Sequence, residues 1–265
     1  MPQPRAHVII PARLASSRLP RKVILDETGL PLVVHVCRRA AEAEGIDSVT
    51  VAADSEEIVE AVRNHGFEAV MTSRTHPNGT SRLAEVAQKL GLSKRDIVVN
   101  VQGDEPEIEP ELVSAARFAL GCALRTRSPL GDPLFPACAT VASPFGLAED
   151  PSDPNIVKVV TGLIEPDSGV SEALYFSRAP IPADPDATSP RRLKHLGIYA
   201  YALGDLLGYV KLPTSPLEHA ERLEQLRWLE HGLPIAVAIR NADHAGIDTP
   251  ADYEAFVRRW RARNA

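Results

Sequence analysis

The chain has 265 residues, of which 44% are hydrophobic and 24% charged, with a formal net charge of −6. That length suits one large domain or two small ones around a sizeable core, and the acidic balance excludes a general nucleic-acid binder, which would be basic. Three cysteines form neither an even disulfide framework nor a C-x-x-C metal pair, and no stretch reaches the apolar length of a membrane span or a signal-peptide core, so a soluble cytoplasmic protein is expected.

The first element expected is a buried strand, HVIIP at 7–11, which opens into ARLASSRLPRK. That loop releases Arg13, Arg18, Arg21 and Lys22 with no glycine. Most phosphate-binding loops use glycines so that backbone N–H groups can approach the phosphate, so any phosphate held here depends on charged side chains. A helix is predicted over 31–45, from Pro31 in its first turn to Gly45, and a strand over 48–53. A helix over 55–66 starts at Ser55, a strand covers 67–71, a helix covers 80–91, and DIVVNVQ at 96–102 reads as a strand buried on both faces. Strand and helix alternate four times, which implies right-handed crossovers and a mostly parallel sheet with helices on both sides.

Beyond residue 120 the pattern loosens. Segments 124–136 and 181–192, rich in Pro, Asp, Ser and Arg, are read as exposed loops. ACATVAS, NIVKVV, ALYFSR and HLGIYAYAL are strands that extend the sheet in mixed directions. The clearest helix is 215–232, with Ser215 and Glu218 in a capping-box pattern, Pro216 in the first turn and Gly232 at the end. PIAVAIR is a further strand, and TPADYEAFVRRWRAR a terminal helix.

In open α/β sheets ligands gather beyond the carboxyl ends of the strands, so the residues that follow each strand are informative. The first strand delivers the cationic loop. The fourth delivers QGDEPEI, where Asp104 is either a magnesium-holding carboxylate or one acid of a solvated turn. Asp248 in GIDTP is either a second metal ligand or a helix cap, a role Thr249 could equally fill. Two carboxylates with several cations suit phosphoryl-type transfer. NGTSRLAE sets Arg82 at a helix start, where a phosphate or a base edge could sit. His195 and Tyr199 share one face of a strand, and Glu221, Glu224, Gln225 and Trp228 one stripe of the capped helix, facing either solvent or a polyhydroxylated substrate. Arg178 offers a planar fork to a substrate carboxylate.

In order, IPARLASSRLPRK, NGTSRLAE, VNVQGDEP, NIVKVV, ALYFSRAPIP, HLGIYAY, PLEHAERLEQLRWLEHG and GIDTPADY resemble the CMP-Kdo synthetases, the 3-deoxy-manno-octulosonate cytidylyltransferases, over nearly the whole chain. The resemblance implies a three-layer, Rossmann-like nucleotidyltransferase fold of the GT-A-like kind, with a mostly parallel, mixed central sheet. It implies one cytidylyltransferase domain with a nucleotide half at about 1–120 and a sugar half at about 121–265. Pro11, Ala12, Arg13, Arg18, Lys22, Arg82 and Gln102 would hold CTP; Asp104 and Asp248 would bind Mg²⁺; Arg13, Lys22, Asp104 and Asp248 would carry the catalysis. Kdo would lie against Arg178, His195, Tyr199, Glu224 and Gln225, in a homodimer that takes no nucleic acid and does not insert into membranes. The chain departs from the family's pattern at Arg21, where Gly is common, at Val23, Asn78 and Ser81, and in a short segment before HLGIY. The alternatives are a cytidylyltransferase for another acidic keto-sugar such as a sialic acid, a glycosyltransferase of related fold, for which no clear D-x-D is present, and a non-catalytic nucleotide sensor.

Overall fold

The computed structural model describes residues 4–126, 138–147, 149–186, 188, 191–243 and 246–264. Most of the loop expected over 124–136 lies outside these. The chain forms two compact units, one of Met1–Ser114 with His244–Ala265 and one of Ala115–Asp243. The last helix, assigned on sequence to the sugar half, therefore packs with the N-terminal unit.

In the first unit β1 (Ala6–Ala12), β2 (Ser48–Ala53), β3 (Glu68–Met71) and β4 (Ile97–Asn100) stand in the order β3-β2-β1-β4, every pair parallel. All four residues of β4 are buried, the apolar Ile97, Val98 and Val99 and the polar Asn100 that ends the strand. The helices α1 (Leu32–Ala41), α2 (Glu56–Arg63) and α3 (Gly79–Lys89) follow the first three strands. Ser55 caps α2 by accepting the Ile58 N–H at 3.3 Å, and Asn78 caps α3 by accepting the Ser81 N–H at 2.9 Å. Helix α1 stops at Ala41, short of Gly45, which turns the chain beyond it with φ 76°. Helix α4 (Pro110–Thr126), which belongs to this unit up to Ser114 and to the second from Ala115, was not among the predicted elements, although Pro110 in its first turn and buried Leu112, Val113, Ala116, Ala119 and Leu120 carry the helical spacing. The terminal helix α8 (Pro250–Asn264) completes the unit.

The second unit contains β5 (Cys138–Pro144), β6 (Lys158–Thr161), β7 (Val170–Ser177), β8 (Leu193–Ala202) and β9 (Ile235–Ile239). Their order is β8-β5-β9-β7-β6, and β6 also pairs with β8, so the order closes on itself. Here β5 and β9 run parallel and the other described pairs are antiparallel, so most of the parallel pairing expected of the sheet lies in the first unit. Bulges at Thr140/Val141 and Val160/Thr161 bend the strands enough for closure. Helix α5 (Leu203–Tyr209), also absent from the expectation, follows β8 directly.

The long helix expected over 215–232 is two short ones, α6 (Pro216–Glu221) and α7 (Leu226–Glu230). Arg222 adopts φ 53° and ends α6, while the Tyr209 hydroxyl donates to the Glu224 carbonyl at 2.7 Å and fixes the joint. Buried Arg227 donates through Nε to Glu218 at 2.7 Å, tying the second helix to the first. Glu221, Glu224, Gln225 and Trp228 hence do not share a helical stripe, and Trp228 is buried.

One apolar cluster in the first unit bears directly on function: Leu19 from the cationic loop and Leu32 from α1 pack with Ile247, Tyr253, Phe256 and Val257. Each such side chain fully buried stabilises by about 1.5–3 kcal/mol. Beside it, His35 Nε2 bonds Thr28 Oγ1 at 2.7 Å, and the imidazole meets Phe256 and Trp260 edge-on. Burial, reinforced by Arg38 and opposed by Glu107, lowers its pKa to about 4. The unfolded chain therefore takes up a proton near pH 6.5 that the folded chain refuses until about 4, so stability falls as the pH drops through that window. Urea unfolding at pH 7 and pH 5 should show wild type losing about 2 kcal/mol more than His35→Gln on acidification; equal losses would contradict this reading.

Candidate active site

Strand β1 ends at Ala12, and the loop that follows is closed at its base by two hydrogen bonds. The Leu14 N–H donates to Asp54 at 3.1 Å, and the Arg21 N–H donates to the Leu14 carbonyl at 3.2 Å. A 3₁₀ turn, Lys22–Ile24, leads away from it. Arg21, at the entry to that turn, has φ 60° and ψ 20°, a left-handed conformation that costs a residue with a Cβ about 1–2 kcal/mol.

Lys22 then reaches across the unit. Its Nζ donates to Asp104 Oδ2 at 2.6 Å, to the Ile247 carbonyl at 2.8 Å and to Asp248 Oδ1 at 3.1 Å. The two acids are held side by side by the backbone, because the Ile247 N–H donates to the Asp104 carbonyl at 2.8 Å. Burial opposes the charge on Lys22, but Asp104 and Asp248 outweigh it, so the ammonium titrates above the usual lysine range. Arg18 adds a second cation, 3.0 Å from Asp248.

Asp248 is not the cap of α8. Thr249 Oγ1 accepts the Asp252 N–H at 3.2 Å, and the Asp252 carboxylate accepts the backbone N–H groups of Thr249 at 2.8 Å and Asp248 at 3.1 Å. A reciprocal capping box one residue on leaves the Asp248 side chain for the cations.

Lys22, Arg18, Asp104 and Asp248 line a cavity of about 410 Å³ together with Pro11, Arg13, Ser16, Ser17, Gln102, Gly103 and others. Of the predicted nucleotide residues, Pro11, Arg13, Arg18, Lys22 and Gln102 line it, and Ala12 is buried at the strand end behind. Arg13 is half-buried on the cavity wall. Arg82 is fully buried and off the cavity wall; it donates to Thr72 Oγ1 while its Nε has no partner. Burial and the neighbouring Arg13 charge lower its pKa, so the pair forms a strongly positive corner. Gly103 was not singled out on sequence: a Cβ there would sit 2.8 Å from the Pro11 carbonyl oxygen, so only glycine lets β1 and the QGD segment approach this closely.

Asp104 and Asp248 supply two hard oxygen donors already converging on one cation, the Lys22 ammonium. No group of three acidic, His or Cys side chains placed to hold a metal occurs among the described residues. Two carboxylates suit an ion that completes its shell with water and phosphate oxygens, as Mg²⁺ does.

The predicted sugar residues all belong to the second unit. Arg178 Nε donates to the Glu221 carbonyl at 2.8 Å and Nη1 to the Pro154 carbonyl at 2.9 Å, which fixes the guanidinium beside the end of α6. His195 Nε2 lies 3.0 Å from Thr140 Oγ1, whose own hydrogen goes to the Ile198 carbonyl at 2.7 Å, so Nε2 is the donor and Nδ1 the lone-pair nitrogen. Burial alone lowers the His195 pKa to about 3, and the ring is neutral in any ordinary buffer. Tyr199 lies 5.2 Å from His195, and its phenol is pushed up by burial, with Cys138, Tyr209 and Glu224 adding to the effect. Rings continue through Tyr201 to Trp228 and Tyr209, at the α6–α7 joint that carries Glu224 and Gln225. Gln225 is buried and its Nε2 has no hydrogen-bond partner.

A family model described as cytidylyltransferase matches residues 7–237. The chain is similar, at 40% identity and TM-score 0.84, to a CMP:2-keto-3-deoxy-manno-octonic acid synthetase solved with CTP, over 98% of this chain and 100% of that one. Two more distant structures share the fold. A cytidylyltransferase from Leptospira borgpetersenii is 14% identical with TM-score 0.56, over 96% of this chain and 86% of that one. A UTP-bound UGPase from Acinetobacter baumannii is 12% identical with TM-score 0.64, over 97% and 93%. The architecture is thus the mixed α/β fold of nucleotidyltransferases.

Because Thr249 and not Asp248 caps α8, the two neighbours separate in mutagenesis. Thr249→Ala should lower unfolding stability by about 1 kcal/mol and leave cation binding intact. Asp248→Asn should do the reverse, weakening divalent-cation binding measured by calorimetry with nucleotide present while shifting stability much less. A larger stability loss in Asp248→Asn than in Thr249→Ala would overturn the assignment.

Proposed function

The chain belongs to the cytidylyltransferase family, and we propose that it transfers CMP from CTP to the anomeric hydroxyl of 3-deoxy-manno-octulosonate (Kdo), giving CMP-Kdo and pyrophosphate for lipopolysaccharide biosynthesis. The observation that carries this reading is the convergence of Lys22, Asp104 and Asp248 in a cavity bordered by Arg13 and Arg18, in a chain 40% identical to a CMP-Kdo synthetase over almost its full length.

The reaction joins two anions, an acidic sugar and a nucleoside triphosphate, so the protein's main task is to reduce their repulsion and to stabilise charge on the departing pyrophosphate. Arg13, Arg18 and Lys22 bind the triphosphate and Gln102 the nucleoside side, while the buried Arg82 adds positive charge from behind the cavity wall. Asp104 and Asp248 would hold a magnesium ion, which would supply Lewis-acid stabilisation of the charge on the phosphates. Lys22 lines the same cavity as Arg13 and Arg18 and is placed to meet the phosphates with them. The loss of one such contact in transition-state stabilisation lowers kcat by roughly 10²–10³-fold in comparable sites.

On the sugar side, the five candidates around β8 and the α6–α7 joint offer what a polyhydroxylated acid requires. Arg178 presents a charged fork, neutral His195 a lone pair at Nδ1, and Gln225 an unpartnered amide donor, with Tyr199 and Glu224 beside them. This is the second unit's contribution, while the first takes the nucleotide.

The homodimer follows the same reading. Leu163, Ile164 and Leu174 are exposed on the β6–β7 hairpin, and an apolar ridge of this kind suits burial against a second copy. No helix among the described residues is long and apolar enough to cross a membrane, and Cys37, Cys122 and Cys138 are buried free thiols, in keeping with a cytoplasmic enzyme.

Pyrophosphate release from CTP and Mg²⁺ should appear on addition of Kdo and be at least tenfold slower with a sialic acid. Asp104→Asn should abolish turnover while CTP still binds. Tight CTP binding with no release on either sugar would favour a nucleotide sensor, and faster release with sialic acid would move the substrate to that sugar.

A further inference from the structure

Arg21 stands apart from the other cations of the loop. It does not line the cavity, yet it takes the left-handed conformation at the point where the loop closes and the Lys22 turn begins. Its N–H donates to the Leu14 carbonyl at 3.2 Å, and its own carbonyl accepts the Ile24 N–H at 3.0 Å, so both backbone groups depend on that unfavourable φ. Glycine adopts φ 60° at no steric cost, whereas an arginine there needs something to hold it. What the structure offers is one contact: the guanidinium donates to the Glu57 carboxylate in the first turn of α2.

We infer that the Arg21–Glu57 ion pair is a positioning device for catalysis, clamping the phosphate loop to α2 so that Arg13, Arg18 and Lys22 are presented in the geometry CTP requires. The inference rests on the cytidylyltransferase reading. Arg21 touches neither substrate nor the metal carboxylates; it acts through the loop. Both partners are about half exposed, 55% and 45%, so the clamp is of surface-pair strength and sensitive to salt. A contact of that size biases the loop without locking it, which leaves Lys22 free to change partners when nucleotide arrives.

The test combines a measurement without nucleotide and one with it. In hydrogen exchange on the apo-protein, Glu57→Gln should speed exchange of amides in 14–24 by about two- to fivefold and leave peptides of α8 unchanged. With CTP, Arg21→Ala and Glu57→Gln should each raise the KM for CTP two- to fivefold while kcat stays within twofold, Arg21→Lys should recover most of the loss, and the double variant should be no worse than either single one. The difference between wild type and Glu57→Gln should fade as salt is raised from about 0.05 M to 1 M. Unchanged exchange in 14–24, or additive effects in the double variant, would overturn the clamp. Faster exchange in Glu57→Gln in a protein that binds no CTP would keep the clamp as a loop restraint and defeat the cytidylyltransferase reading and the catalytic role together.

Discussion

Two carboxylates and one ammonium converge in this protein: Lys22 Nζ lies 2.6 Å from Asp104 and 3.1 Å from Asp248. Without a cation between them the acids would repel, by roughly 4 kcal/mol for unit charges 4 Å apart at an effective dielectric of 20, less where solvent reaches them. The fold accepts that penalty for a pair of oxygen donors fixed before any ligand arrives. Much of the first unit serves this arrangement. The Ile247–Asp104 backbone bond sets the acids abreast, the Leu19–Ile247–Phe256 cluster seats the loop against α8, and Thr249 and Asp252 cap α8 so that Asp248 is spared. Lys22 satisfies both acids and lines the same cavity as Arg13 and Arg18.

The second unit follows a different principle. Where the nucleotide end gathers full charges, the region around β8 gathers neutral, buried and polarisable groups: an uncharged His195, phenols held protonated by burial, and an unpartnered amide at Gln225. On the proposed reading these groups meet hydroxyls by hydrogen bonding and leave charge recognition to Arg178.

What was legible in the sequence follows from which forces are local. The four parallel strands and their helices were readable because each carries its own apolar period and cap, and the acids after β4 and before α8 were visible as strand-end residues. Helix α4 carried the same kind of signal, starting at Pro110, and went unread behind the acidic turn that precedes it. The break at Arg222 was not legible, since a capping box and a terminal glycine frame 215–232 as one helix; the break depends on Arg227 pairing with Glu218 and on Tyr209 bonding Glu224, contacts made only on folding. The choice between Asp248 and Thr249 as cap was likewise open until the Asp252 carboxylate was seen to serve the capping box. Closure of the second unit's strand order by the β6–β8 pairing has no marker in the sequence, because register between distant strands is a property of the assembled sheet.

The central claim is that Asp104 and Asp248 exchange the Lys22 ammonium for a divalent ion when CTP binds. The most direct measurement is a crystal structure with CTP and Mn²⁺, located by its anomalous signal. The account predicts a single strong peak coordinated by both carboxylates, with Lys22 Nζ moved onto a phosphate oxygen; a peak away from both acids, or Lys22 still seated between them with nucleotide bound, would contradict it.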